Sequence, residues 1–240
     1  MSVIDFRKSK KPPAAEAALA VQEPPHPNME IGNYQPENAS QQLDGEFSQK
    51  DAKLPFLTCV SQSSDCVAEH PEWIGRLLLD KQFCLGVAVN VVVTKVAKHY
   101  EGSVVFGSGV IPNRWKKIAD AEAWQNKEGG EFLEVGVLDL LVEVPKDSPS
   151  ALSDQALLSV DGIDYVGARL TSRKKAFKNT VGILIRDLNA WLRGKFINGK
   201  YTIECEKLSW QGKTWFSPKL KAAGPTSEAL RKAIAIQFGL

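Results

Sequence analysis

"FCLGVAVNVVVTKVAKHY", Phe83 to Tyr100, is the stretch on which the fold turns. It is rich in valine and alternates at Val87, Val89, Val91 and Val93, as a strand with one buried face should. The apolar phase then shifts toward Val96. A phase shift inside a long strand is what a bulge or bend produces. The pattern predicts a protein built around one long, bent strand.

Working outward, "SVVFGSGVIP" (103–112) is expected to pair with that strand, and "PEWIGRLLL" before it to form a short helix opened by Pro71. "RWKKIADAEAWQNK" (Arg114 to Lys127) reads as a helix stopped by Gly129 and Gly130. Two more strands follow at "EFLEVGVLDLLVEV" (Glu131 to Val144) and "GIDYVGARLT" (Gly162 to Thr171). Next comes an amphipathic helix, with Phe177, Val181, Leu184, Leu188 and Trp191 on one face, Ser172 as N-cap and Gly194 as stop. "NGKYTIECEKLSWQGKTWFSPKLK" (Asn198 to Lys221) is a hairpin around a glycine turn, and "TSEALRKAIAIQF" closes the chain as a helix.

The chain's 240 residues suffice for a sizeable core. Residues 1–53 are different. They carry prolines at 12, 13, 24, 25, 27 and 36 and few large apolar side chains. Such a segment cannot bury enough surface to offset its conformational entropy, so a disordered or extended arm is expected there. One domain should occupy 54–240. No run of uncharged apolar residues is long enough to span a bilayer, and no signal-peptide core is visible, which reads as a cytoplasmic, intracellular protein.

The net charge of +2 hides a division. Residues 1–164 hold 15 Lys and Arg against 24 Asp and Glu, whereas residues 165–240 hold 15 against 4. A basic 165–240 segment points to a polyanionic partner. It supplies both kinds of group that hold single-stranded nucleic acid, cations for phosphates and rings for bases. Arg169, Arg173, Lys174, Lys175 and Lys178 cluster where a strand passes into the amphipathic helix. Trp210, Lys213, Trp215, Phe216, Lys219 and Lys221 belong to the hairpin. Alternation puts Tyr201, Ile203 and Cys205 inward, and lets only one of the adjacent Trp215 and Phe216 face outward.

Signs of chemistry are sparse. No nucleophile elbow, P-loop or H-E-x-x-H occurs, and "GSG" from Gly107 reads as a turn, so the chain is read as a non-enzyme with no cofactor. Cys59, Cys66, His70 and Cys84 are a conceivable zinc set, but they lack the close cysteine pair of such sites. Asp139, Glu143 and Lys146 invite a nuclease reading, which Pro145 spoils by standing where the E-x-K lysine belongs.

The order of elements over residues 83–220 resembles an OB-fold: five strands closing a small barrel, with a helix between the third and fourth. Together with the helices inserted at 114–127 and at the C-terminus, this gives a mainly β fold class. Single-stranded-DNA-binding proteins of phage or mobile-element type are the nearest resemblance, and the chain departs from the bacterial form in lacking an acidic, glycine-rich tail. The resemblance implies single-stranded DNA, or RNA, as partner, bound with little sequence preference in replication, recombination or repair. It leaves self-assembly open. The alternative is a structural or adaptor protein of a virion or nucleoprotein assembly, whose basic face meets an acidic partner.

Overall fold

In the computed structural model, residues 54–104 and 109–239 are described. The expected N-terminal arm lies outside them. Ten strands and five α-helices make up the described part. A small antiparallel sheet is built from β1 (Leu57–Cys59), β2 (Leu77–Leu79) and β3 (Phe83–Gly86). The large sheet uses β4 (Ala88–Gly102), β5 (Arg114–Trp115), β6 (Phe132–Glu143), β7 (Leu158–Val160), β8 (Ile163–Arg173), β9 (Gly199–Trp210) and β10 (Lys213–Pro225). Its order is β10-β9-β4-β6-β8-β7, with β5 beside the end of β4, and every pairing is antiparallel. The helices are α1 (Ile118–Glu128), α2 (Ser150–Ser153), α3 (Lys175–Asn179), α4 (Val181–Ala190) and α5 (Glu228–Phe238).

The long strand is bent where the apolar phase shifts. Its register against β6 slips between Val93 and Lys95, and the Thr94 hydroxyl donates to the Asp139 carbonyl at 3.0 Å. Before the bulge, Val89, Val91 and Val93 point into the main core with Leu138, Leu140, Leu170, Tyr201 and Ile203. Val87 does not join them, because Gly86 at φ 92° turns the chain and leaves Val87 exposed. On the opposite face Val92 and Leu141 form a second core with Tyr165, Ile197, Leu230 and Ile234, under α5. The middle of β4 and β6 is therefore buried on both sides.

Several local expectations are corrected. "PEWIGRLLL" makes only one 3-10 turn, Pro71–Trp73, and its three leucines form the fully buried β2. Residues 103–112 give no strand among those described; Arg114 and Trp115 pair with β4 instead. The amphipathic helix is two helices broken at Thr180, whose hydroxyl donates to the Ala176 carbonyl at 2.7 Å. Ser172 is not its cap but a buried residue of β8. Ser227, by contrast, does cap α5, accepting from the Leu230 amide.

The strands do not close into a five-stranded barrel by direct pairing of β8 with β10. Residues 55–61 occupy the main-chain groups that such pairing would use. The Arg169 amide donates to the Pro55 carbonyl at 2.7 Å, Phe56 forms a parallel bridge with Arg169, and the Phe216 amide donates to the Ser61 hydroxyl. β1 touches both edges, and Leu57 is buried in the main core. The small sheet thus fills the seam of the large one. Among the described residues no helix is long and apolar enough to cross a membrane.

Candidate nucleic-acid interface

Beyond the bulge, register places Lys95, Ala97, His99 and Glu101 of β4 on one sheet face. Leu133, Val135, Val137 and Asp139 of β6 lie beside them, and Arg169, Thr171 and Arg173 of β8 complete the row. This is the face that α5 covers at its other end, where Leu141 and Tyr165 lie. A cavity of about 710 Å³ opens on the uncovered end, between β1, β4, β8 and β10.

Glu101 lines it and is only 3% exposed. Its Oε2 accepts from Arg173 at 2.9 Å; its Oε1 lies 3.0 Å from Arg114 Nε and 3.0 Å from His99 Nε2. Burial acts to raise this carboxyl. The His99 and Arg173 hydrogen bonds and the charges of Arg173 and Arg114 outweigh it, holding the group below the usual carboxylate range. Arg169 is held to Asp139 at 2.8 Å. The pair keeps the guanidinium charged and aimed, while consuming much of its field outside.

The hairpin turns on Gln211 and Gly212, both at positive φ, as a two-residue turn between twisted strands requires. Tyr201 and Ile203 are buried, and Cys205 packs on the core, as alternation implies. The Cys59 thiol meets Cys205, and that contact together with burial pushes the Cys59 pKa far up. Of the adjacent aromatics, Trp215 is the outward one, at 38% exposure, beside the buried Leu208. Phe216 turns the other way and lines the cavity, packed so close to Gly75 that a side chain there would collide with its ring. Trp210, 65% exposed, and Lys213 face each other across the strands on Trp215's side.

The sequence candidates therefore separate into three places. Arg169, Arg173 and Phe216 meet at the cavity. Lys174, Lys175 and Lys178 gather with Leu133, Glu134 and Phe177 around a second hollow of about 360 Å³. Trp210, Lys213 and Trp215 form the hairpin's outer end. Lys219 and Lys221 are on that outer face too, but they pair with Glu206 at 2.8 Å and Glu204 at 2.6 Å. Part of the basic excess is thus consumed inside the hairpin. Arg173, Lys174 and Lys175 are consecutive, and Lys174 at φ 52° makes the reversal that joins the cavity to the second hollow.

His99, Glu101 and Arg114 complete the cavity without being singled out by sequence. The phase shift at Thr94 is the signal for the first two, since it aligns Lys95, Ala97, His99 and Glu101 on the face opposite Val96. Arg114 carries no such signal; a two-residue strand after an irregular loop brings it in. The other chemical candidates are not assembled. His70 stacks on Trp73 at 3.8 Å, and Cys59 meets Cys205, which is not one of the set. Among the described residues no group of three His, Cys, Asp or Glu is placed to share a metal ion. Asp139 pairs with Arg169, and Glu143 with Lys200 at 2.6 Å. Comparison with protein families, curated proteins and solved structures finds no match to this chain.

Proposed function

We propose that the protein binds single-stranded nucleic acid, DNA in the first instance, by phosphate neutralisation and base stacking with little sequence preference. The strand order carries the reading. An OB-fold orders its strands fifth, fourth, first, second, third, which is the order β10-β9-β4-β6-β8, and it places its helix between the third and fourth. Such folds take oligonucleotides on the face of strands two and three and on the loop between four and five. In this chain those places are the β6–β8 face with Arg169 and Arg173, and the β9–β10 turn with Trp210, Lys213 and Trp215. The seam that β1 fills replaces the closing pair of that barrel. Replication, recombination or repair is the setting this activity serves.

The test is binding of a labelled oligothymidylate and of a duplex of equal length at two salt concentrations. Single strands should bind more tightly, and affinity should fall at least tenfold between about 50 and 200 mM salt, since several phosphates are neutralised. Absence of binding at low salt, or a preference for duplex, refutes the proposal.

A further inference from the structure

We infer that the cavity between β1, β4, β8 and β10 is a one-nucleotide pocket, holding a phosphate of the bound strand on Arg114 and Arg173 and its base against the Phe56 and Phe216 rings. This rests on the single-strand reading above and names the site at which the strand is gripped.

Three observations carry it. The first is charge arithmetic: the single carboxylate of Glu101 faces two guanidiniums and His99, so the cluster keeps an excess of positive charge. The second is donor arithmetic. A guanidinium has five N–H groups. Glu101 engages Arg173 through Nε and Nη2 and Arg114 through Nε. The two side chains are 46% and 63% exposed, so the remaining donors are within reach of a ligand from solvent. A buried carboxylate that orients two half-exposed guanidiniums is a preorganised anion fork, because less rotamer freedom remains to be lost when the ligand arrives. The third is size and lining. About 710 Å³ is within the range of small-molecule sites. Phe56 and Phe216 line the same space and supply apolar ring surface beside the donors. A hollow with donors and rings together suits a nucleotide better than it suits a bare anion.

The experiment compares wild type, R114Q, R173M and a control, K232Q on α5, for binding of a labelled oligothymidylate by anisotropy over a salt series. Each cavity variant should bind about tenfold more weakly. The slope of log K against log salt should flatten by about 0.7, the share of one phosphate on a single strand. K232Q should stay within about twofold of wild type. R114Q guards against misfolding, since Arg114 is largely exposed and its loss leaves Arg173 and His99 on Glu101; its thermal melt should fall less than that of R173M. If wild type binds and both cavity variants lose no more than K232Q, the pocket assignment is wrong while the single-strand reading stands. If wild type binds no single strand, both fall together.

Discussion

Glu101→Gln isolates what the buried carboxylate does for the fold. The substitution keeps the shape but removes the charge that two arginines share, and it turns an amide N–H₂ toward one of them. A hydrogen bond to a charged group contributes about 1.5–3 kcal/mol and a neutral one about 1 kcal/mol. Losing one charge-assisted bond and weakening another would cost up to about 5 kcal/mol if both arginines were buried. They are half exposed or more, and solvent takes up part of the loss, so about 2 kcal/mol is expected. For a domain of this size that lowers the melting temperature by roughly 4–8 °C. The pH dependence fixes the cause. A carboxyl held below its usual range in the folded state contributes stability that is complete above its unfolded pKa, near 4.5, and is lost as pH falls through the lower folded value. Wild type and E101Q should therefore differ at pH 7, and the gap should narrow as pH falls below about 4.5 in parallel calorimetric scans. Equal melting at pH 7, or a gap that does not narrow as pH falls below about 4.5, refutes the account.

The hairpin makes a second test, since its neighbouring rings should differ in what they contribute to the fold. Trp215→Ala should weaken oligothymidylate binding by about 1–3 kcal/mol, the worth of one stacked base, with a small change in melting. Phe216→Ala should lower the melting temperature at least twice as much as Trp215→Ala does, because a half-buried ring is removed from against Gly75. Equal melting losses would remove the stacking role from Trp215. A third concerns β6: Gly136→Ala places a methyl against Val181 and 2.9 Å from the Ser172 hydroxyl. Overpacking of that kind costs about 1–3 kcal/mol and should show as a clear drop in thermal midpoint with oligonucleotide affinity retained.

Strand positions were readable wherever burial repeats with a period of two. The start of β9 and the end of β8 show it, and even the Thr94 bulge of β4 announces itself as a slip of phase. The errors fall where the period is too short to register. Leu77, Leu78 and Leu79 are buried on every side and carry no alternation, so Pro71 made them resemble a helix. Phe177 to Trp191 keeps a helical stripe straight across the break at Thr180, because the stripe records which side is buried and not whether the backbone is continuous. Charge was legible as a total for 165–240 but not as a surface. Lys219 and Lys221 look like Lys213 in sequence, yet each reaches diagonally across the strands to a carboxylate, Glu206 and Glu204, whereas Lys213 stands opposite Trp210. The cavity was least legible, since Glu101, Arg114 and Arg173 meet only through pairings far apart in the chain.

The seam filled by residues 55–61 has a consequence for how the chain reaches its fold. β4 with β6, β6 with β8, and β9 with β10 are neighbours that can zip locally. Pro55 and Arg169 are more than a hundred residues apart, and contacts of that separation are entropically costly to form before they are rewarded. Until they form, β8 and β10 present two open edges with unpaired main-chain groups, which are templates for a strand from another chain. The seven residues 55–61 thus cover the two edges on which a strand from another chain could otherwise add.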